Sequence, residues 1–214
     1  MRSTMLHALK RLSPLFIAML AMLAMPVSAM ELELEEDHHY DVIYPPVSNS
    51  QPGLHVFEVF NFKCPHCFDL HAPLTAWKNR VKGKINVHSL PIYWGNQTDT
   101  PVRALFAAEF LGKGDAMKEA IFKAQFEDDM NIESLGDMRQ IAKKAGVDPD
   151  ALSSAMGSFG VMARVAQAKS LADAFGVRGT PTLVVNGRYR VGLGKHASGE
   201  PAKLFQILEG LSAR

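Results

Sequence analysis

The chain has 214 residues, with 23 Lys and Arg set against 22 Asp and Glu, and only two cysteines. A balanced charge without a basic face excludes a nucleic-acid footprint. Two cysteines also exclude a multi-bridge disulfide scaffold.

The first 29 residues read as a secretory signal peptide. Arg2, Lys10 and Arg11 form a positive start, Leu15 to Met25 is an apolar run, and Val27-Ser28-Ala29 supplies small residues for cleavage after Ala29. The apolar run is about half the length of a bilayer-spanning helix. Removing it leaves 20 cations against 22 acids in a mature chain starting at Met30. That length fits one domain, or one domain carrying an insertion. An exported protein meets an oxidising compartment.

Residues 30–39 are acidic and read as a loose tail in which His38 and His39 alone make no metal site. Tyr40 to Tyr44 reads as a short strand stopped by Pro45-Pro46. Val56 to Phe62 is apolar on both faces, as in a central strand, with Glu58 as its one acid. Cys64-Pro65-His66-Cys67 follows. Leu70, Leu74, Trp77 and Val81 then make one helical stripe, with Pro73 inside it. Asn86 to Ile92 is another strand.

From Thr100 to about Phe175 the periodicity is helical throughout, broken at Gly112, Gly146 and Asp148-Pro149. Gly176 closes the block. Thr182 to Val185, Asn186-Gly187 and Arg188 to Val191 form a hairpin signal, and Glu200 to Leu211 a last helix. Strands before and after the helical block must pair around it, which makes the block an insertion in an α/β sandwich.

The dithiol sits where a strand turns into a helix, so the helix N-terminus stabilises a thiolate, the attacking species in disulfide exchange. Cys64 precedes the helix and reads as the attacking sulfur. Cys67, one turn in, reads as the buried partner. His66 adds a hydrogen bond or a positive charge that lowers the pKa of Cys64. Other readings of the pair stand beside this one. Phe68 rather than His after Cys67 argues against haem attachment. A zinc site needs two more ligands, for which His66 and His71 are the candidates. A four-residue loop gains little as a structural staple.

Glu58 to Cys67 (Glu-Val-Phe-Asn-Phe-Lys-Cys-Pro-His-Cys), with Gly176 to Gly187 (Gly-Val-Arg-Gly-Thr-Pro-Thr-Leu-Val-Val-Asn-Gly) far downstream, resembles the DsbA family of periplasmic disulfide oxidases. The similarity runs over roughly residues 40 to 210. It implies a thioredoxin fold with an inserted all-helical domain, divided as 40–97, 98–163 and 164–214. It also implies a depressed pKa at Cys64 and an oxidising disulfide, both known properties of that family. The implied site is Cys64, Pro65, His66 and Cys67, faced by Thr180 and a cis Pro181, with Glu58 as a buried acid near Cys67. A cis proline presents the backbone of Thr180 as an edge on which a substrate strand can lie. Prominent family members pair the acid with a lysine on the next strand, a position aligned here with His88.

The expected activity is donation of the Cys64–Cys67 disulfide to folding exported proteins in the periplasm, by a monomer that binds no cofactor. A DsbB-like membrane quinone reductase is the implied reoxidant. The alternatives are an isomerase or reductase of the same superfamily, for which Thr180 speaks, and a non-catalytic chaperone-like module with a structural disulfide. Phe62 and Phe68, with apolar residues of the helical block, are expected either in the core or in a client-binding patch around Cys64.

Overall fold

The structure, a computed structural model, describes residues 32–48 and 52–214. The signal-peptide reading falls outside these residues. Leu32 to Arg214 form one compact unit.

Five strands make one sheet in the order β1-β5-β4-β2-β3. They are β1 (Asp41–Val42), β2 (Leu54–Phe60), β3 (Ile85–Pro91), β4 (Thr182–Val185) and β5 (Tyr189–Gly192). β2 runs parallel to β3 and antiparallel to β4. Because β2 and β4 are antiparallel neighbours, the C-terminal end of one meets the N-terminal end of the other, with Val59 opposite Thr182. Residues 64 and 180 therefore come to the same end of the sheet.

Eight helices occur among the described residues. α1 (Pro65–Arg80) crosses from β2 to β3 and stays continuous through Pro73. Its expected stripe is buried, with Leu70, Leu74, Trp77 and Val81 all in the core. They pack with α8 (Pro201–Ser212) on the sheet, where Trp77 stacks on Phe205 with ring centroids 5.2 Å apart. The insertion is built from α2 (Thr100–Phe110), α3 (Gly114–Phe126), α4 (Leu135–Lys144), α5 (Pro149–Met156) and α6 (Phe159–Ala174). α4, α5 and α6 open on Ser134, Asp148 and Ser158, whose side chains accept the first free helix N–H groups. The boundary expected between 163 and 164 lies inside α6, one unbroken helix.

Asn186 and Gly187 both take left-handed backbone, and the Arg188 N–H donates to the Val185 carbonyl at 2.9 Å. This is the mirror-image turn that Asn-Gly favours between antiparallel strands. A short helix, α7 (Leu193–Ala197), follows β5 between the hairpin and the last helix. Residues 32–39 are not a loose tail as expected. Leu34 is buried against Gly210, and its carbonyl accepts from Arg214 at 2.8 Å.

Candidate functional site

Asn61 shapes the turn that delivers the dithiol. Its side-chain oxygen accepts from the Lys63 N–H at 2.8 Å, and its amide donates to the Ile92 carbonyl at 2.9 Å. Cys64 then takes the N-cap position of α1 in extended backbone, with Pro65 in the first turn. Proline suits that place because the missing N–H would have had no partner there. Cys64 is half-buried and Cys67 is 1 % exposed; both are free thiols.

The two sulfurs differ sharply in acidity. Cys64 is held down to about 5, chiefly by a hydrogen bond from the Cys67 thiol. Burial opposes this, and the Thr180 side chain and the backbone N–H groups of Cys67 and His66 add to it. Cys67 is pushed far up by that same hydrogen bond and by its burial. The helix N-terminus thus acts as expected, but His66 acts through its backbone. Its side chain is 75 % exposed and turned to Asp69, 3.9 Å away.

Thr180 and Pro181 face the dithiol across a cis peptide bond, as expected. The neutral Cys64 thiol donates to the Thr180 carbonyl at 3.3 Å. Beside them lies a groove of about 370 Å³, lined by His66, Leu70, Pro181, Leu193 and Pro201 among others. It is the most apolar of the larger concavities, although a bigger and more polar one of about 700 Å³ lies along β3 and α6. Of these two, the smaller groove is the one that reaches Thr180, Pro181 and the start of α1. Phe62 is fully buried against Phe122, with ring centroids 5.0 Å apart, so it is core rather than client surface. Phe68 is only partly buried and stacks on Phe126 at 4.9 Å.

Glu58 is buried, but its expected partner is wrong. Across the parallel ladder Glu58 pairs with Ser89, whereas His88 pairs with Phe57 and so lies on the other face of the sheet. His88 instead meets His55, ring nitrogen to ring nitrogen, at 2.8 Å. The cation beside Glu58 is Lys118 of α3, with Nζ 2.5 Å from the carboxylate. Their side chains are 8 % and 4 % exposed. Lys118 also lies 4.0 Å from the centroid of the Phe60 ring and 3.3 Å from Ser89 Oγ. His71, one turn beyond Cys67, is held down to about 4 by burial and by the charge of Lys118. Sequence reasoning missed Lys118, although a lysine next to Met117 and three residues before Ile121 marks a cation on a core-facing stripe.

Lys63 is a second cation at the site that sequence reasoning passed over. Its Nζ lies 2.5 Å from Glu133, which is in the turn before α4. Among the described residues no group of three or more His, Cys, Asp or Glu side chains could hold a metal ion.

Comparison with known proteins places this geometry. Residues 55–199 match the family model of the DSBA-like thioredoxin domain. The chain is 31% identical over 163 residues to a thiol:disulfide interchange protein DsbA of Azotobacter vinelandii, covering 76% of this chain and 75% of that one. It is 28% identical over 196 residues to the DsbA of Pseudomonas aeruginosa, covering 91% and 92%. The crystal structure of Pseudomonas aeruginosa DsbA superposes with a TM-score of 0.76 at 27% identity, over 82% of this chain and 91% of that one. That of the oxidoreductase DsbA from Xylella fastidiosa gives 0.74 at 27% identity, over 86% and 97%. The matched segment runs from β2 through the dithiol and the whole insertion to the end of α7, and on that ground the chain belongs to the DsbA-like thioredoxin family.

Proposed function

We propose that this thiol:disulfide oxidoreductase works as a disulfide donor to exported proteins, through Cys64 and Cys67. The observation that carries this reading is the unequal acidity of the two sulfurs. A Cys64 thiolate stabilised to about 5 makes the reduced form favourable, and hence the disulfide oxidising.

A client thiolate attacks Cys64 of the disulfide, forming a client–Cys64 bond and breaking the Cys64–Cys67 bond. Cys67 leaves and takes a proton, because its burial disfavours the thiolate. The client's second thiolate then attacks the client sulfur of the mixed disulfide. Cys64 departs as a thiolate that the Cys67 thiol and the first N–H groups of α1 stabilise. The client loses two electrons and two protons, and the dithiol holds the electrons. Pro65 starts the helix that supplies those donors. Thr180 and Pro181 form the wall on which the client backbone lies. Glu58, neutralised by Lys118, lies beneath this site as a positioning residue.

We place the mature protein in the periplasm as a monomer, cleaved after Ala29, with the helical block α2 to α6 inserted between the two parts of the thioredoxin fold. A membrane quinone reductase of the DsbB type serves as its reoxidant. No helix among the described residues is long and apolar enough to cross a membrane.

The test mixes the oxidised protein with reduced, unfolded ribonuclease and follows loss of free thiols, with Cys64→Ser as control. Rapid stoichiometric oxidation, absent in the control, is expected. A reduction potential near the thioredoxin value of about −270 mV would overturn the donor reading. Recovery of scrambled ribonuclease without net oxidation would favour the isomerase.

A further inference from the structure

Lys63 immediately precedes the attacking sulfur, so the chain itself sets a full positive charge one residue from a developing thiolate. Its ammonium is paired, although the side chain is partly exposed. It meets Glu133 Oε2 at 2.5 Å, and the other carboxylate oxygen accepts the Thr98 N–H at 2.6 Å. Both oxygens of Glu133 are therefore engaged, and Lys63 holds its carboxyl below the usual carboxylate range. Glu133 is itself seated, its N–H donating to Asn131 Oδ1 at 3.1 Å. One side chain ties together three segments distant in sequence: the dithiol turn, the connector after β3, and the turn that opens α4.

We propose that Glu133 is a positioning residue of the exchange site, one that cancels the charge of Lys63 and so restrains how strongly the turn stabilises the Cys64 thiolate. The donors that stabilise it most are the Cys67 thiol, the Thr180 side chain and the helix N–H groups. The insertion thereby reaches the dithiol electrostatically through one carboxylate on its surface. This inference rests on the exchange chemistry proposed above and adds a specific control over its driving force.

The signature is a pair of shifts of opposite sign. Glu133→Gln leaves Lys63 uncancelled next to the sulfur, so the Cys64 pKa falls by roughly half a unit, the scale for a unit charge near a half-exposed group. The disulfide becomes about three-fold more oxidising against glutathione. Lys63→Met leaves Glu133 uncancelled and moves both quantities the other way. The double variant returns to the parent value, and 1 M KCl compresses all the shifts.

The Cys64 titration is read from thiolate absorbance in the full mature protein, with the potential measured in glutathione buffers. A loosened turn would lower Tm but would move both single variants in one direction. Shifts of the same sign, or an unmoved Cys64 in Glu133→Gln, would overturn the proposal. If Glu133→Gln does not fold, Lys63→Met alone decides by the sign of its shift. A wild-type protein with an ordinary thiol would instead defeat the donor reading itself.

Discussion

Replacing Lys118 by Met tests the pair beneath the dithiol. The side chain keeps its length and apolar stem but loses the ammonium. Glu58 is 4 % exposed and its carboxylate is 2.5 Å from Lys118 Nζ. The other donor to it is Ser89 Oγ at 3.4 Å, at the long edge of hydrogen bonding. Breaking such a buried pair from one side leaves an uncompensated charge and costs about 3–5 kcal/mol. In a domain of this size that lowers Tm by about 6–20 °C. Glu58→Gln is expected to cost less, because Lys118 keeps Ser89 Oγ at 3.3 Å and the Phe60 ring at 4.0 Å. The double replacement Glu58→Leu with Lys118→Met removes both charges and should recover most of the loss. Urea unfolding followed by tryptophan fluorescence reports it, since Trp77 is buried between α1 and α8. A loss below about 1 kcal/mol in Lys118→Met, or a double variant no better than it, would refute the claim that the pair is desolvated.

Cys64 should titrate near pH 5, and its linkage to stability has a fixed sign. The folded value lies below the unfolded one. The stabilisation of the reduced protein is therefore complete above about pH 9 and is lost as pH falls towards 5. At pH 7, discounted for a half-exposed sulfur, it amounts to about 1–2 kcal/mol. Urea titrations of the reduced protein from pH 5 to 9 should show this rise and Cys64→Ser should not; a flat wild-type profile would contradict it. Cys67→Ala removes the strongest donor and should raise the Cys64 pKa by about one to two units by thiolate absorbance. Gly187→Ala places a Cβ 2.1 Å from the Val47 carbonyl at a φ of +66° and should cost at least about 2 kcal/mol. Gly194→Ala, inside α7 with no heavy atom within 4 Å of the added Cβ, should instead stabilise by up to about 1 kcal/mol; thermal unfolding of both variants checks the contrast.

The parts of the site that lie close in sequence were legible. The Cys-Pro-His-Cys turn, the stripe from Leu70 to Val81 and the Asn186-Gly187 hairpin each follow from local spacing, and each forms where expected. Thr180-Pro181 needed the family resemblance, because the sequence spacing does not show that β4 folds back beside β2. The partner of Glu58 was not legible. A shift of one residue in a strand moves a side chain to the opposite face, and that separates Ser89 from His88. The true partner comes from a helix 60 residues away, across the boundary between sheet and insertion. Lys63 and Glu133, 70 residues apart, escaped for the same reason. Pair contacts between segments depend on how helices pack, and helix periodicity fixes only which face turns inward. The helix α7 went unread because five residues carry too little periodicity to register.

The burial of Cys67 has a consequence for timing. Once a client is joined to Cys64, the enzyme sulfur placed to reverse that step is Cys67, which is 1 % exposed and whose burial disfavours the thiolate even without a Cys64 thiolate beside it. A thiol that stays protonated is a poor nucleophile, so the backward route is slow. The client's second cysteine, in water, ionises freely. The lifetime of the covalent complex is therefore set by the client. A chain with two cysteines leaves oxidised, and one with a single cysteine stays attached until another thiol arrives.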